Sequence, residues 1–140
     1  MTNAGWEHFE HQADIGLRAW GADLATALEQ AGLALTAVVT DPETVEAAER
    51  VELECAAADP EFLLVEWLDT LIYAMATRRM LFAAYEVRLE GLNLRANAYG
   101  EPVDRDRHAP AVEVKGATLT GLKAEQGADG TWLLECVVDV

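Results

Sequence analysis

Residues 11–21 constrain the fold of this chain more than any other stretch. Every second residue from Ile15 onward is apolar, and the intervening positions are glycine, arginine and tryptophan. A period of two is typical of a strand with one buried face. Because His11 and Asp14 stand at the entrance to this strand, we expect them at the end of a sheet, where the backbone is rigid.

The far end of the chain carries another carboxylate after an apolar run. Asp139 follows two valines, and the terminal carboxylate of Val140 comes next. If this last strand pairs beside the first, the carboxylates of Asp14, Asp139 and Val140 converge on one point. Hard divalent cations bind such all-oxygen groups, so a metal site is one hypothesis.

Two helices are predicted between these ends. The first follows Asp23, a good N-cap, and ends at Asp41-Pro42 because proline disfavours helical geometry in the preceding residue. Its apolar stripe consists of Leu24, Ala27, Leu28, Ala31, Leu35 and Val38. The second helix begins at Asp59-Pro60, with proline at the first helical position. Since its apolar residues lie on more than one face, we expect it to be the more deeply buried helix.

The rest of the chain returns to a period of two. Further strands are expected over residues 51–57, 85–98, 112–125 and 131–139. The phase changes at Gly91, which indicates a turn or bulge, and residues 127–130 are typical of a hairpin turn. Together these patterns predict a single α+β domain over residues 1–140, with mixed or antiparallel sheet layers and two helices.

The charge of the chain argues against direct nucleic-acid binding. It has 25 Asp and Glu against 10 Lys and Arg, a net charge of -15, and such a surface repels phosphate backbones. An acidic surface suits a basic partner protein, although solubility alone explains the same composition.

Other sequence features bear on the compartment. No apolar run approaches the roughly 18 residues of a membrane span, and no leader precedes residue 6, so we expect a cytoplasmic protein without membrane contact. Cys55 and Cys136 lie outside any metal-binding spacing. Both are predicted to be buried free thiols, which suit a reducing compartment.

The common signatures of nucleotide binding and hydrolysis are missing. The sequence has no Gly-rich phosphate loop with its lysine, no GxSxG, no HExxH and no zinc-type spacing of Cys and His. What remains is a set of polar residues at predicted strand ends and in the charged loop after Gly100. They are His11, Asp14, Asp104, Arg107, His108, Lys115 and Asp139.

The order and spacing of several motifs resemble the archease family. Residues 11–16, His-Gln-Ala-Asp-Ile-Gly, are similar to the family signature His-Thr-Ala-Asp-(Ile/Val)-Gly, with Gln12 in place of threonine. Further similar blocks are residues 62–68, Leu81-Phe82, Gly100-Glu101 with Asp104, Arg107 and His108, Val114-Lys115, and residues 137–140. The chain departs from the family at Leu119-Thr120, where archeases usually have Tyr-His.

The resemblance implies an α+β fold with two helices against β-sheet, and a metal held by Asp14, Asp139 and the terminal Val140. Ca²⁺ is the ion expected in a crystal, with Mg²⁺ or Mn²⁺ as alternatives in function. The resemblance also implies an accessory protein, and not an enzyme, that acts on an RtcB-type GTP-dependent RNA ligase. Archeases promote guanylylation of the ligase histidine and multiple turnover in tRNA splicing and RNA repair, with no small-molecule substrate of their own. The candidate residues for activating the partner are His11, Asp104, Arg107, His108 and Lys115.

Two alternative functions stay open at this point. One is a chaperone-like modulator of a tRNA-modifying enzyme such as a tRNA methyltransferase, a role also proposed for the family; the dominant partner in the cell would distinguish it. The other is a metal-dependent hydrolase with His11 or His108 as base and Asp14 and Asp139 as ligands. The hydrolase is disfavoured because neither a nucleophile nor an enclosed pocket is evident in the sequence.

Overall fold

The computed structural model describes residues 3–140, which form two β-sheets and three α-helices. In chain order the elements are β1 (Gly5–His11), β2 (Asp14–Gly21), α1 (Leu24–Val39), β3 (Glu49–Ala56), α2 (Pro60–Arg78), β4 (Met80–Glu90), β5 (Asn93–Pro102), α3 (Arg105–His108), β6 (Gly116–Ala117), β7 (Lys123–Gln126) and β8 (Trp132–Asp139). This is the predicted α+β class, with the short α3 in addition to the two expected helices. None of the helices within residues 3–140 is long and apolar enough to cross a bilayer.

Both sheets are antiparallel. The first has the order β1-β2-β8-β6, and β7 also pairs with β8. The second has the order β3-β5-β4. The hairpin between β4 and β5 turns at Gly91, whose φ of 61° is a left-handed conformation that glycine adopts without steric cost. The predicted phase change at Gly91 is therefore a tight turn.

The strand predicted over residues 112–125 is wrong in its extent. Only β6 and β7 pair with β8 in this region, and residues 118–122 leave the sheet between them. Gly121 has a φ of 61° within this excursion. The apolar positions change phase at Gly121, from Ala117 and Leu119 before it to Leu122 and Ala124 after it, and this shift was the available sequence signal of the break.

Helix α1 lies between the two sheets, because it contacts β2 of the first sheet and β4 of the second. Its N-cap is Asp23, whose side chain accepts a hydrogen bond of 2.7 Å from the backbone N–H of Thr26. All six residues of the predicted apolar stripe are buried. The sequence thus predicted both the start and the buried face of this helix.

The expectation that α2 is the more deeply buried helix is wrong. Nine of the 16 residues of α1 are buried, against six of the 19 residues of α2. Because α2 covers the core from one side only, it leaves Phe62 at 49% and Tyr73 at 71% exposure. Its buried side is fixed to α1 by Trp67, whose indole Nε1–H donates a 2.8 Å hydrogen bond to the carbonyl of Leu28.

The cysteines are free thiols, as predicted, but the predicted burial holds in full only for Cys136. Cys136 on β8 is buried in the core, and this burial raises the pKa of its thiol to about 12. Cys55 on β3 is half-buried, and desolvation raises its pKa as well. Both side chains are therefore protonated at neutral pH and pack as small apolar groups.

The second sheet depends on a close approach of two backbones at Gly100. The register of β4 against β5 shifts between Phe82 and Ala84, and this bulge brings the carbonyl of Leu81 over Gly100. A Cβ atom at position 100 would lie 1.9 Å from that carbonyl oxygen. Only glycine fits here without moving the backbone.

Gly100→Ala should therefore destabilise the protein by about 2 kcal/mol or more, since an overpacked site that cannot relax costs on this order. Urea unfolding followed by circular dichroism measures the change. Gly116→Ala is the matched control, because its nearest neighbour would be the Asp69 Oδ1 atom at 3.8 Å. Equal stability of the two variants would contradict the assigned close contact.

Candidate functional site

The pairing of β2 with β8 brings two of the predicted site residues together. The last matched pair in this antiparallel register is Ile15 opposite Val138, so one further step places Asp14 opposite Asp139. Residues directly opposite each other on one face of a sheet have Cβ atoms about 5 Å apart. Two aspartates separated by more than a hundred residues in sequence therefore occupy neighbouring backbone positions at one sheet end.

The β1–β2 hairpin extends this arrangement by one strand. Its two-residue turn has Gln12 at a φ of 53°, and the register sets His11 opposite Asp14. We call His11, Asp14 and Asp139 the acidic row. On the other side of β8, Gly116 lies opposite Asp139. The row thus runs across neighbouring strands of the first sheet.

The acidic row is accessible from outside. Asp139 is exposed and Asp14 is half-buried. The side chain of Val140 packs against the core, which fixes the backbone directly after Asp139. His11 is half-buried, and its Nδ1 atom is buried without a hydrogen-bond partner among the described residues.

The donor chemistry of the row fits a hard divalent cation. Asp14, Asp139 and the carboxylate of Val140 supply only oxygen atoms, which Ca²⁺, Mg²⁺ and Mn²⁺ prefer. Within residues 3–140, however, His, Cys, Asp and Glu side chains do not form any group of three or more that could hold a metal. His11 does not complete such a set. An ion here needs the Val140 carboxylate, water or groups of another molecule.

Lys115 approaches the acidic row through its backbone. Its N–H donates a 2.8 Å hydrogen bond to the carbonyl of Asp139. Its side chain is exposed. The backbone of Lys115 is therefore anchored to that of Asp139, and its side chain is free to meet another molecule.

The three candidate residues of the charged loop meet at a different place. Asp104 caps α3 by accepting hydrogen bonds from the backbone N–H groups of Asp106 and Arg107. Arg107 forms a bidentate pair with Glu101, with nitrogen–oxygen distances of 2.6 and 2.7 Å. His108 contacts the same carboxylate at 3.0 Å. We call Glu101, Arg107 and His108 the Glu101 cluster.

His108 is a structural member of this cluster. Its Nδ1 atom accepts a 2.8 Å hydrogen bond from the backbone N–H of Asp104, so Nε2 carries the proton and donates to Glu101. Its side chain is fully buried, which keeps it from external groups. The hydroxyl of Thr40 donates a 2.6 Å hydrogen bond to its carbonyl. His108 therefore attaches α3 to the end of α1.

Sequence reasoning missed the central role of Glu101. This carboxylate lies near the end of β5 and also accepts a 2.6 Å hydrogen bond from the backbone N–H of Glu46. Arg107 first, then this N–H group and His108, hold the pKa of Glu101 well below its usual range. The Gly100-Glu101 motif, which follows the strand predicted over residues 85–98, was the available signal, but the partners of Glu101 lie in other elements.

The Glu101 cluster and the acidic row lie at the same end of the molecule. Ala111 donates a 2.8 Å backbone hydrogen bond to the carbonyl of Val39, and Lys115 makes the bond to Asp139. Four residues span at most about 14 Å. The cluster thus supports the segment that leads to Lys115, although its own side chains do not join the row.

The Glu101 cluster predicts a specific dependence of stability on pH. Because the pKa of Glu101 is lower in the folded chain than its ordinary value of 4.5, its stabilisation is complete above that pH and is lost as the pH falls below it. We expect Glu101→Gln to be less stable than the wild type at pH 7. The difference in unfolding free energy should shrink between pH 5 and about 2, as measured by urea unfolding.

The control for this measurement is Glu125→Gln, which removes an exposed carboxylate of β7. This variant should follow the wild-type pH profile. A constant gap between Glu101→Gln and the wild type across the acid range would contradict the assigned pairing.

Comparisons with known proteins identify the family. Residues 6–140 match the family model described as "Archease protein family (MTH1598/TM1083)". The protein archease of Pyrococcus abyssi is 38% identical over 96% of this chain and 98% of its own length. The protein archease of Methanopyrus kandleri is 39% identical over 96% of this chain and 99% of its own length.

The fold agrees with a solved structure as well. The solution structure of protein 1598 from Methanobacterium thermoautotrophicum superposes with a TM-score of 0.78 at 29% identity, over 97% of this chain and 99% of that one. The similarity therefore covers both sheets and both long helices. On the sequence match and this shared architecture, the chain belongs to the archease family.

Proposed function

We propose that this chain activates an RtcB-type GTP-dependent RNA ligase by promoting ligase guanylylation and multiple turnover in tRNA splicing and RNA repair. Membership of the archease family supports a role as an accessory protein of tRNA processing. The observation that favours the finer role is the register of β2 against β8, which sets Asp14 beside Asp139 at an exposed sheet end.

Asp14, Asp139 and the carboxylate of Val140 are the groups that would hold a divalent metal ion. Mg²⁺ or Mn²⁺ suits this donor set in function, and Ca²⁺ suits it in a crystal. When bound, such an ion supplies positive charge that offsets the negative charge developing during nucleotidyl transfer. The two strands hold the aspartates in place before any ion binds.

The openness of the row supports action on another protein. Hard cations take six or more oxygen ligands, so two aspartates and one terminal carboxylate leave positions free for the partner or for water. Cavities of about 380 and 770 Å³ lie on the second sheet, between residues of β3, β4 and β5, and neither is lined by the acidic row. An exposed edge of this kind can enter the active-site cleft of a larger enzyme.

The charge of the chain also supports action on the ligase and not on its RNA. The net charge of -15 disfavours contact with RNA and favours a basic surface on the ligase. Lys115 is the exception beside the row, and its exposed ammonium group can approach a phosphate oxygen as a point charge. His11 lies opposite Asp14 and is a further candidate contact for the partner, while the Glu101 cluster supports the segment that leads to Lys115.

Asp14→Ala and Asp139→Ala should each lower multiple-turnover ligation by the cognate ligase by about tenfold or more relative to wild-type activator, because each removes a carboxylate that no neighbouring side chain replaces. Calorimetric titration of the free protein with Mn²⁺ should show weakened binding for both variants. The matched control is Asp129→Ala, an exposed acid in the hairpin at the opposite end of β8.

Full stimulation by both folded variants would reject the metal-site role. Affinity capture from the native cell tests the partner independently. Recovery of a tRNA methyltransferase in place of the ligase would favour the chaperone-like alternative.

A further inference from the structure

An insertion in the strand beside β8 forces three residues out of the first sheet. Ala117 lies opposite Val138, and pairing resumes with Lys123 opposite Glu135. Between these pairs one strand advances six residues and β8 advances three, so three residues have no place in the ladder. Residues 118–122, which we call the tip, form the resulting excursion, five residues that face two on β8.

Hydrogen bonds close the tip into a fixed turn. The backbone N–H and the hydroxyl of Thr118 both donate 2.9 Å hydrogen bonds to the carbonyl of Val137. The N–H of Leu122 donates to the carbonyl of Leu119 at 3.4 Å. Gly121 supplies the left-handed conformation that the turn requires. The tip is therefore anchored to β8 on one side and closed on itself.

This fixed turn presents an apolar side chain to the outside. Leu119 is 61% exposed, whereas Leu122, three residues later, packs against the core. A fixed apolar group can serve as a contact at low entropic cost, because little conformational freedom is lost when a partner covers it. The tip has the features of such a contact.

The tip adjoins the acidic row. Its anchor, Val137, precedes Asp139 by two residues, a distance of about 7 Å along the strand. At the base of the tip, the exposed side chain of Asp69 accepts a 2.9 Å hydrogen bond from the N–H of Ala117. A partner that reaches Asp139 thus also meets the tip, with the carboxylate of Asp69 at its base.

We propose that Leu119 is a docking contact for the ligase, which would receive it in an apolar pocket with a basic rim. The proposal rests on the proposed function and adds a division of roles to it: the tip sets affinity, and the acidic row sets the degree of activation. Charge selects this occupant over a second copy of the chain, because two chains with a net charge of -15 repel each other, whereas a basic surface on the ligase attracts one.

Titration of the activator in the multiple-turnover ligation assay tests this division. Leu119→Asp should raise the concentration for half-maximal stimulation by about tenfold or more and leave the plateau unchanged, and Leu119→Met should retain wild-type behaviour. The control is Phe62→Asp, which changes a side chain of 49% exposure on α2, seven residues or about 10 Å along the helix from Asp69. It should match the wild type.

The outcomes separate the two proposals. Asp14→Ala should lower the plateau without moving the half-maximal concentration. An unchanged plateau for folded Asp14→Ala would therefore count against the metal site alone. An unchanged half-maximal concentration for folded Leu119→Asp overturns the docking contact alone. Sedimentation that shows a wild-type dimer dissociated by Leu119→Asp would assign the tip to self-association and also overturn it. If the wild type neither binds nor stimulates the ligase, both proposals fail.

Discussion

The antiparallel pairing of β2 with β8 is the constraint on which the rest of this structure depends. On one face it sets Leu17 opposite Cys136 and Ala19 opposite Leu134, all of them buried in the core. On the same ladder it sets Asp14 beside Asp139. Because side chains alternate between faces, a slip by one residue would move the apolar set to the opposite face of the sheet. Burial of the core therefore fixes the position of the carboxylates.

The opposite face of this sheet reinforces the register. Arg18 on β2 pairs with Glu7 on β1 at 2.8 Å and with Glu135 on β8 at 2.9 Å, which joins three strands. Its guanidinium carbon lies 4.7 Å from the centre of the Phe9 ring. That ring covers Gly16, where any Cβ atom would come within 2.3 Å of it. Individual exposed ion pairs contribute little, but a row that links three strands disfavours alternative registers.

The candidate residues divide into two groups with different physical roles. Asp14, Asp139 and Lys115 lie at an open sheet end and keep groups available to another molecule. The hydrogen bonds of the charged-loop residues lie within the chain. Arg107 and His108 bind Glu101, and Asp104 caps α3. The block of the charged loop that resembles the family therefore consists of structural residues. They hold the segment between α3 and β6 in place.

Local patterns in the sequence determined the helix caps at Asp23 and Asp59, the buried stripe of α1, the turn at Gly91 and the strands other than the one predicted over residues 112–125, because these depend on neighbours within a few residues. The motifs also determined the family. Only the tertiary structure decided that α1 lies between two sheets, that β6 and β7 both pair with β8, and that Glu101 binds Arg107 and His108. The physical reason is that each depends on which strands pair and in what register. Such contacts join residues far apart in the chain, and periodicity records only which face of a strand is apolar, without naming the strand that lies beside it.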